Sequence, residues 1–257
     1  MTNRWHHYEW ELLQAPAMHP ALHMALDEIL LDQVSKGLRK PTLRFWEWAT
    51  SSVIIGRFQS LKNEVDSQQA ERHGLSVVRR ISGGGAMFLE PGNGITYSIY
   101  APEALVAGLN FQESYLTLDA WVVEGLKSLG VNAWYQPLND ITSDGGKIGG
   151  AAQARRNKAV LHHTMLAYDM DADKMVQVLR IGQEKLSDKG TTSAKKRVDP
   201  LRRQTGLSRE EISQRLVQQF AQSAPLSSGV LDAATLQAAA DLAQSKYQSL
   251  EWTALVP

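Results

Sequence analysis

The alternation of apolar and polar positions divides the chain into helical and extended stretches. Leu22, Ala25, Leu26, Ile29 and Leu30 recur at helical spacing, which predicts an amphipathic helix over 21–34 with one buried stripe. Pro41 opens a β-rich region, Leu43 to Trp48 and then Val53-Ile54-Ile55-Gly56, and the charged stretch 62–73 predicts a surface helix ending near Gly74. A hydrophobic run from Leu75 to Val78 leads into Arg79-Arg80-Ile81-Ser82-Gly83-Gly84-Gly85. Apolar residues resume at Ala86-Met87-Phe88-Leu89, turn at Pro91-Gly92-Asn93-Gly94, and continue with Ile95, Tyr97 and Ile99 on one face. That order reads as strand, glycine loop, strand, tight turn, strand.

Residues 113–129 place Leu118, Trp121, Val122, Leu126 and Leu129 on one side of a second helix, with Gly130 where a C-cap belongs. Val131 to Tyr135 reads as a strand, Pro137 to Ile141 as a polar loop, and Gly145 to Gly150 as small residues packed around Lys147. Over 160–168 the chain alternates, so His162, Thr164 and Leu166 face one way and His163, Met165 and Ala167 the other. Residues 171–181 look helical, and 183–203 is a loop rich in Lys and Arg. Ser208 and Glu211 form a capping box that opens a helix to about Phe220; Pro225 to Gly229 is a linker, and an alanine-rich helix spans about 233–247.

With 257 residues, 43% of them hydrophobic, the chain can bury the core of one large domain. Lys+Arg 27 balances Asp+Glu 27, so no basic field implies nucleic-acid or membrane-surface binding. The absence of cysteine removes disulfides, thiolate metal sites and cysteine nucleophiles together. No stretch reaches the roughly 18 apolar residues of a membrane span, and the N-terminus has no apolar signal core, so a cytoplasmic protein is expected.

Three glycines in a row expose backbone N–H groups with no side chains in the way, which suits a phosphate or another anion, and Arg80 would add a fixed planar charge. A bulge or wide hairpin loop is the alternative; the arginines and the Gly-Asn turn favour a ligand loop. Phe45, Trp46 and Trp48 are either core or the wall of an apolar tunnel. Lys147 can act deprotonated as a nucleophile or protonated as a partner for phosphate or a developing oxyanion. Asp140 can hold magnesium beside phosphate oxygens or merely close an Asx-turn. His162 and His163 point to opposite faces and cannot ligate one metal as a pair. No P-loop, full dinucleotide fingerprint or His-Glu-x-x-His is present. A nucleotide phosphate site with metal help is the economical reading.

The string Arg79 to Ala86 followed by Gly92-Asn93, then Asn139-Asp140-Ile141, Gly146-Lys147-Ile148 and His162-His163-Thr164, resembles the lipoate–protein ligase family. Val53 to Gln59 and the loop Lys185 to Val198 are also similar, and the likeness runs from about residue 17 to about 253. The resemblance implies the α+β fold shared with biotin–protein ligases, a mixed β-sheet flanked by helices. It implies that ATP and lipoate give lipoyl-adenylate, which a lysine of a lipoyl domain then attacks. The implied acceptors are lipoyl domains of 2-oxoacid dehydrogenases or proteins like the glycine cleavage H protein. Carried over residue by residue, Arg80, Gly83, Gly84, Gly85, Ala86, Met87, Phe88, Asn93, Asn139 and His163 belong to the binding site. Lys147 contacts both adenylate and acyl carboxyl, and Asp140 serves Mg2+. The chain is expected to form a single catalytic domain over 1–257 without the family's C-terminal accessory domain, as in the large chain of two-chain ligases, so a separate accessory subunit is expected. Related octanoyltransferases carry a cysteine near Leu138-Asn139-Asp140, a route closed here. Lysine-assisted transfer from an acyl carrier without ATP, a non-catalytic lipoyl-domain binding module and a biotin ligase are the alternatives.

Overall fold

The computed structural model describes residues 4–170, 172–180 and 198–257. Most of the Lys- and Arg-rich stretch 183–203, with the family-like segment from Lys185, lies outside them. The chain runs β1 (Trp10–Gln14), α1 (Pro20–Ser35), β2 (Thr42–Trp46), β3 (Ser52–Ile55), α2 (Leu61–Glu64), α3 (Ser67–Arg72), β4 (Ser76–Arg79), β5 (Met87–Leu89) and β6 (Gly94–Pro102). It continues α4 (Phe111–Ser128), β7 (Ala133–Gln136), β8 (Asp140–Ser143), β9 (Gly146–Arg156), β10 (Ala159–Ala167), α5 (Ala172–Val178), α6 (Leu201–Thr205), α7 (Arg209–Ser223), β11 (Leu226–Ser228), α8 (Ala233–Leu242) and α9 (Leu250–Thr253).

Among the described residues, the strands form an eight-stranded mixed sheet, β11-β1-β2-β6-β10-β9-β8-β7, and a three-stranded one, β4-β3-β5. The alternation of β6 sets the layers. Ile95, Tyr97 and Ile99 pack with Leu118, Trp121 and Val122 of α4 and Leu216 and Phe220 of α7. On the other face Tyr100 packs with Leu30, Leu31 and Val34 of α1. Residues of β10 divide in the same way, Leu166 toward α4 and Met165 toward α1. The small sheet turns Ile54, Val78 and Leu89 toward α1, and Val53, Ile55 and Phe88 toward the short helices. The expected α+β architecture, a mixed sheet flanked by helices, is the one observed.

Several local expectations change. α1 is buried around most of its circumference, His23 and Asp27 included, because the large sheet, the small sheet and α8 surround it. Stretch 62–73 splits into α2 and α3 at buried Val65, which bridges to Leu179. The linker at Pro225–Gly229 contains β11, which pairs in parallel with β1, itself not expected from the sequence. The polar loop and glycine-rich stretch form β8 and β9, an antiparallel pair with a register shift between Ile141 and Thr142. Glycines there are tolerated because neighbouring backbone approaches closely: a Cβ on Gly149 would lie 2.5 Å from the Met165 carbonyl oxygen.

Candidate active site

A cleft enclosing about 540 Å³, open mouth included, lies where the two sheets and α1 meet. Its lining brings together Arg80, Gly85, Ala86, Met87, Asn139, Lys147 and His163 from the expected set. These residues come from the β4–β5 turn, the start of β5, β9, β10 and the residue preceding β8. Apolar wall is supplied by Met24, Trp46, Trp48, Ile54 and Met165. Phe45 belongs to the core, and Trp46 and Trp48 belong to a second core cluster while also lining the cleft.

The antiparallel register pairs Asp140 with Gly150 and Thr142 with Lys147. Lys147 Nζ reaches Asp140 Oδ1 at 2.7 Å, with its side chain one-third exposed. A Cβ on Gly150 would sit 3.3 Å from that Nζ, so the small residue leaves room for the ammonium, as the glycines around Lys147 had indicated. The Lys147 carbonyl accepts from the Asp199 N–H at 2.9 Å, which ties β9 to the segment that leads into α6. Asn139 pairs with Ala151, donating from Nδ2 to its carbonyl at 2.6 Å and accepting its N–H at 2.9 Å. A second cavity shares Met87 and Lys147 and is lined further by Phe88, Ile148, Met170 and Met175.

Arg80 is buried and its guanidinium holds the glycine turn. Nη2 donates to the carbonyls of Gly83 (2.5 Å) and Gly85 (2.9 Å), Nη1 to Ile54 O (3.2 Å), and Nε to Ser82 Oγ (3.0 Å) and Gly83 O (3.1 Å). Burial lowers its pKa to about 10, which leaves it charged at neutral pH. Gly84 sits at φ +86°, and the backbone N–H groups of Gly84, Gly85 and Ala86 make no hydrogen bond within the described residues. Carbonyls turned to an arginine and amides left over are the arrangement an anion site requires. The donors of Arg80 thus hold the loop, and its fixed planar charge lies beside the glycines as the sequence reading expected.

Gly83 and Gly84 shape the turn without lining the cleft, and Phe88 faces the second cavity and the small core. Asn93 lies outside the cleft. It is buried in the turn before β6, its backbone carbonyl accepts from Tyr168 and Asp169, its backbone N–H donates to Glu90 O, and its side-chain amide makes no hydrogen bond within the described residues. Among the described residues no three His, Asp or Glu side chains gather to hold a metal ion. Asp140, the carboxylate expected to serve magnesium, is ion-paired with Lys147.

Behind the cleft runs a buried polar network that the sequence did not reveal. His163 Nε2 meets Ser82 Oγ at 2.6 Å, and its Nδ1 meets Asp27 Oδ2 at 2.8 Å. Asp27 Oδ1 accepts from Tyr100 (2.5 Å), Ser98 (3.2 Å) and Arg44 (3.3 Å). Burial would raise the Asp27 carboxyl, but the His163 hydrogen bond, the Arg44 charge and the Tyr100 hydroxyl outweigh it and hold the pKa below the ordinary value. Burial depresses the pKa of His163, against the raising effect of Asp27. Serine, histidine and aspartate are thus within nucleophile–base–acid distances. Ser82 is nevertheless fully buried and receives the Arg80 N–H, so no carbonyl can approach it as a substrate. His162 belongs to a separate network on the opposite face, 2.7 Å from Asp119, as the alternation required.

The family model of the lipoyl protein ligase A/B catalytic domain matches residues 19–221. The chain is 31% identical to octanoyltransferase LipM of Exiguobacterium sp., over 95% of this chain and 97% of that protein. It is 31% identical to the probable lipoate-protein ligase A of Mycoplasma pneumoniae, over 94% of this chain and 70% of that one. Among solved structures it resembles a chain from the bipartite lipoate protein ligase and E2 lipoyl domain system of Thermoplasma acidophilum, with TM-score 0.82, 28% identity and 97% of each chain covered. It also resembles a lipoate-protein ligase A bound with ATP, with TM-score 0.81, 26% identity, and 97% and 99% covered.

Proposed function

The chain belongs to the lipoyl protein ligase A/B catalytic-domain family, and from that premise we propose that it activates lipoate or a related medium-chain acid with ATP and transfers the acyl group to a lysine of a lipoyl domain. One observation carries the reading. The ammonium of Lys147 opens into the same cleft as the Gly85-Ala86 amides and the Trp46–Trp48 wall. An apolar acid against the tryptophans and a nucleotide against the turn would then meet at one cation.

In the first step a carboxylate oxygen bonds to the α-phosphorus of ATP while the bond to the β-phosphate bridge breaks and pyrophosphate leaves. In the second, the neutral amine of the acceptor lysine bonds to the acyl carbon, AMP leaves with the electron pair of the broken C–O bond, and the amine loses a proton. Lys147 would neutralise the negative charge that builds on carbonyl and phosphate oxygens in both steps. Asp140 would orient that ammonium and offer one carboxylate to a magnesium ion arriving with the triphosphate. The resemblance to one chain of a bipartite ligase, over nearly all of both chains, supports a separate accessory protein for the adenylation step.

A second reading is favoured by the similarity to octanoyltransferase LipM: acyl transfer from an acyl-carrier thioester without ATP. With no cysteine in the chain, that reaction would have to pass directly from thioester to acceptor amine. Mass spectrometry of a lipoyl domain incubated with the chain separates the two. Modification that requires ATP, magnesium and free acid, with or without a candidate accessory protein, supports the ligase. Modification from octanoyl-carrier alone overturns it in favour of the transferase.

A further inference from the structure

We infer that Asp27 is a positioning residue for the glycine turn, acting through His163 and Ser82 to fix the plane of the Arg80 guanidinium. The inference rests on the ligase reading only for its nucleotide readout.

Burial lowers the pKa of His163, and with that ring neutral the bonds of the relay have one polarity. An ionised carboxylate only accepts hydrogen bonds, so His163 Nδ1, 2.8 Å from Asp27 Oδ2, carries a proton. In a neutral imidazole the other nitrogen is then an acceptor, and Ser82 Oγ, 2.6 Å away, donates to it. The single hydroxyl proton of Ser82 is thereby committed, which leaves its oxygen to accept the Arg80 Nε–H at 3.0 Å. Because the guanidinium is planar and rigid, anchoring Nε sets where both Nη groups lie. Those groups grip Gly83, Gly85 and Ile54, and so decide which way the peptide units of the turn face.

Asp27 is itself immobilised. Tyr100, Ser98 and Arg44 hold Oδ1, and Arg44 is braced by His23, whose Nδ1 accepts from Nη2 at 2.5 Å while Nε2 donates to Glu47 O at 2.6 Å. His23 and Asp27 are four residues apart on α1, on one face of the helix. The helix therefore holds the turn in register from a residue 136 positions away from the histidine it orients.

The test is nuclear magnetic resonance on the full 15N-labelled chain together with ATP affinity. Wild type is expected to show neutral His163 protonated at Nδ1 and an Arg80 Nε–H protected from exchange. Asp27→Asn and Ser82→Ala should each speed that exchange and weaken ATP binding on the order of tenfold, the usual effect of losing a hydrogen bond to a charged group. The double variant should be no worse than either single one, since both cut one relay. Thr235→Ala, which removes a hydrogen bond to Gln33 elsewhere on α1, should leave the Arg80 signal unchanged.

A proton on Nε2 of His163 in wild type, additive losses in the double variant, or an unchanged Arg80 signal in Ser82→Ala would each overturn the inference. Should Asp27→Asn fail to fold, Ser82→Ala alone decides through the Arg80 signal, because it leaves the Asp27–Arg44 pair intact. If wild type binds no ATP, the ligase reading falls while the resonance data still decide the relay.

Discussion

Arg79 and Arg80 are neighbours in sequence, and both are buried among carbonyl oxygens. Arg79 points away from the cleft and gathers Gly56 O, Gln59 O, Thr253 O and Val256 O, which fastens the C-terminal segment to β4. Arg80 gathers the turn. Alternation along a strand sends consecutive side chains to opposite faces, so one arginine is structural cement and the other shapes the site. Lys147 differs from both in being partly exposed and paired with a single carboxylate. Lys147→Ala is therefore expected to lower acyl transfer on the order of a hundredfold or more, the scale of one lost oxyanion partner. Its thermal midpoint should stay within a few degrees of wild type, since a partly exposed ion pair adds little stability. Turnover assays beside a melting curve check this, and undiminished transfer would remove Lys147 from the chemistry.

At the scale of elements, the site depends on how closely the end of β3 approaches the turn. A Cβ on Gly56 would lie 2.2 Å from the Gly84 carbonyl oxygen and 3.3 Å from Arg80 Nη2. The carbonyls on either side of Gly84, those of Gly83 and Gly85, are held by the Arg80 guanidinium, so the Gly84 peptide cannot retreat without disturbing that grip. Gly56→Ala should displace the turn and lower ATP-dependent transfer on the order of tenfold or more, with a loss of about 1–3 kcal/mol in stability from overpacking. Denaturant unfolding and the transfer assay measure the two effects. Full activity with full stability would show that the turn has slack. The strand–loop–strand order of this region was legible because Gly83-Gly84-Gly85 interrupts two apolar runs. The β8–β9 pair was not legible as strands, because glycine and polar residues gave no alternation there; packing against β10 supplies what local preference lacks.

At the scale of the molecule, buried neutral histidine couples stability to acid. His23 is held at a pKa of about 3, mainly by burial and then by the Arg44 charge, against an ordinary 6.5. Its folded-state value is depressed, so between these two values the unfolded chain binds the extra proton and stability falls as pH falls. One such proton gives a slope of about 1.4 kcal/mol per pH unit through that window. His163 is depressed in the same direction, and Asp27, also lowered, adds its loss below the ordinary carboxylate range. Thermal midpoints should decline steadily from pH 6.5 toward 4, and His23→Gln should flatten the decline. A wild-type midpoint constant over that range would contradict the buried network. Among the described residues no helix is long and apolar enough to cross a membrane, in keeping with the absence of a long apolar run in the sequence.

Local chemistry in the chain determined the long helices, the strands flanking the glycine loop, the opposite faces of His162 and His163, and a glycine turn and a lysine of the kinds an anion would need. Such features depend on spacings of a few residues, which periodicity and capping record directly. Placing Lys147 in one cleft with the glycine turn, bringing β11 to β1, and setting Asp27 behind His163 were decided only by the tertiary structure. Those contacts follow from sheet register and from what covers each face, and residues more than a hundred positions apart carry no mark of them. In the sequence Asp27 was one polar residue beside a hydrophobic stripe; a helix enclosed on nearly every side made it the buried anchor of the site.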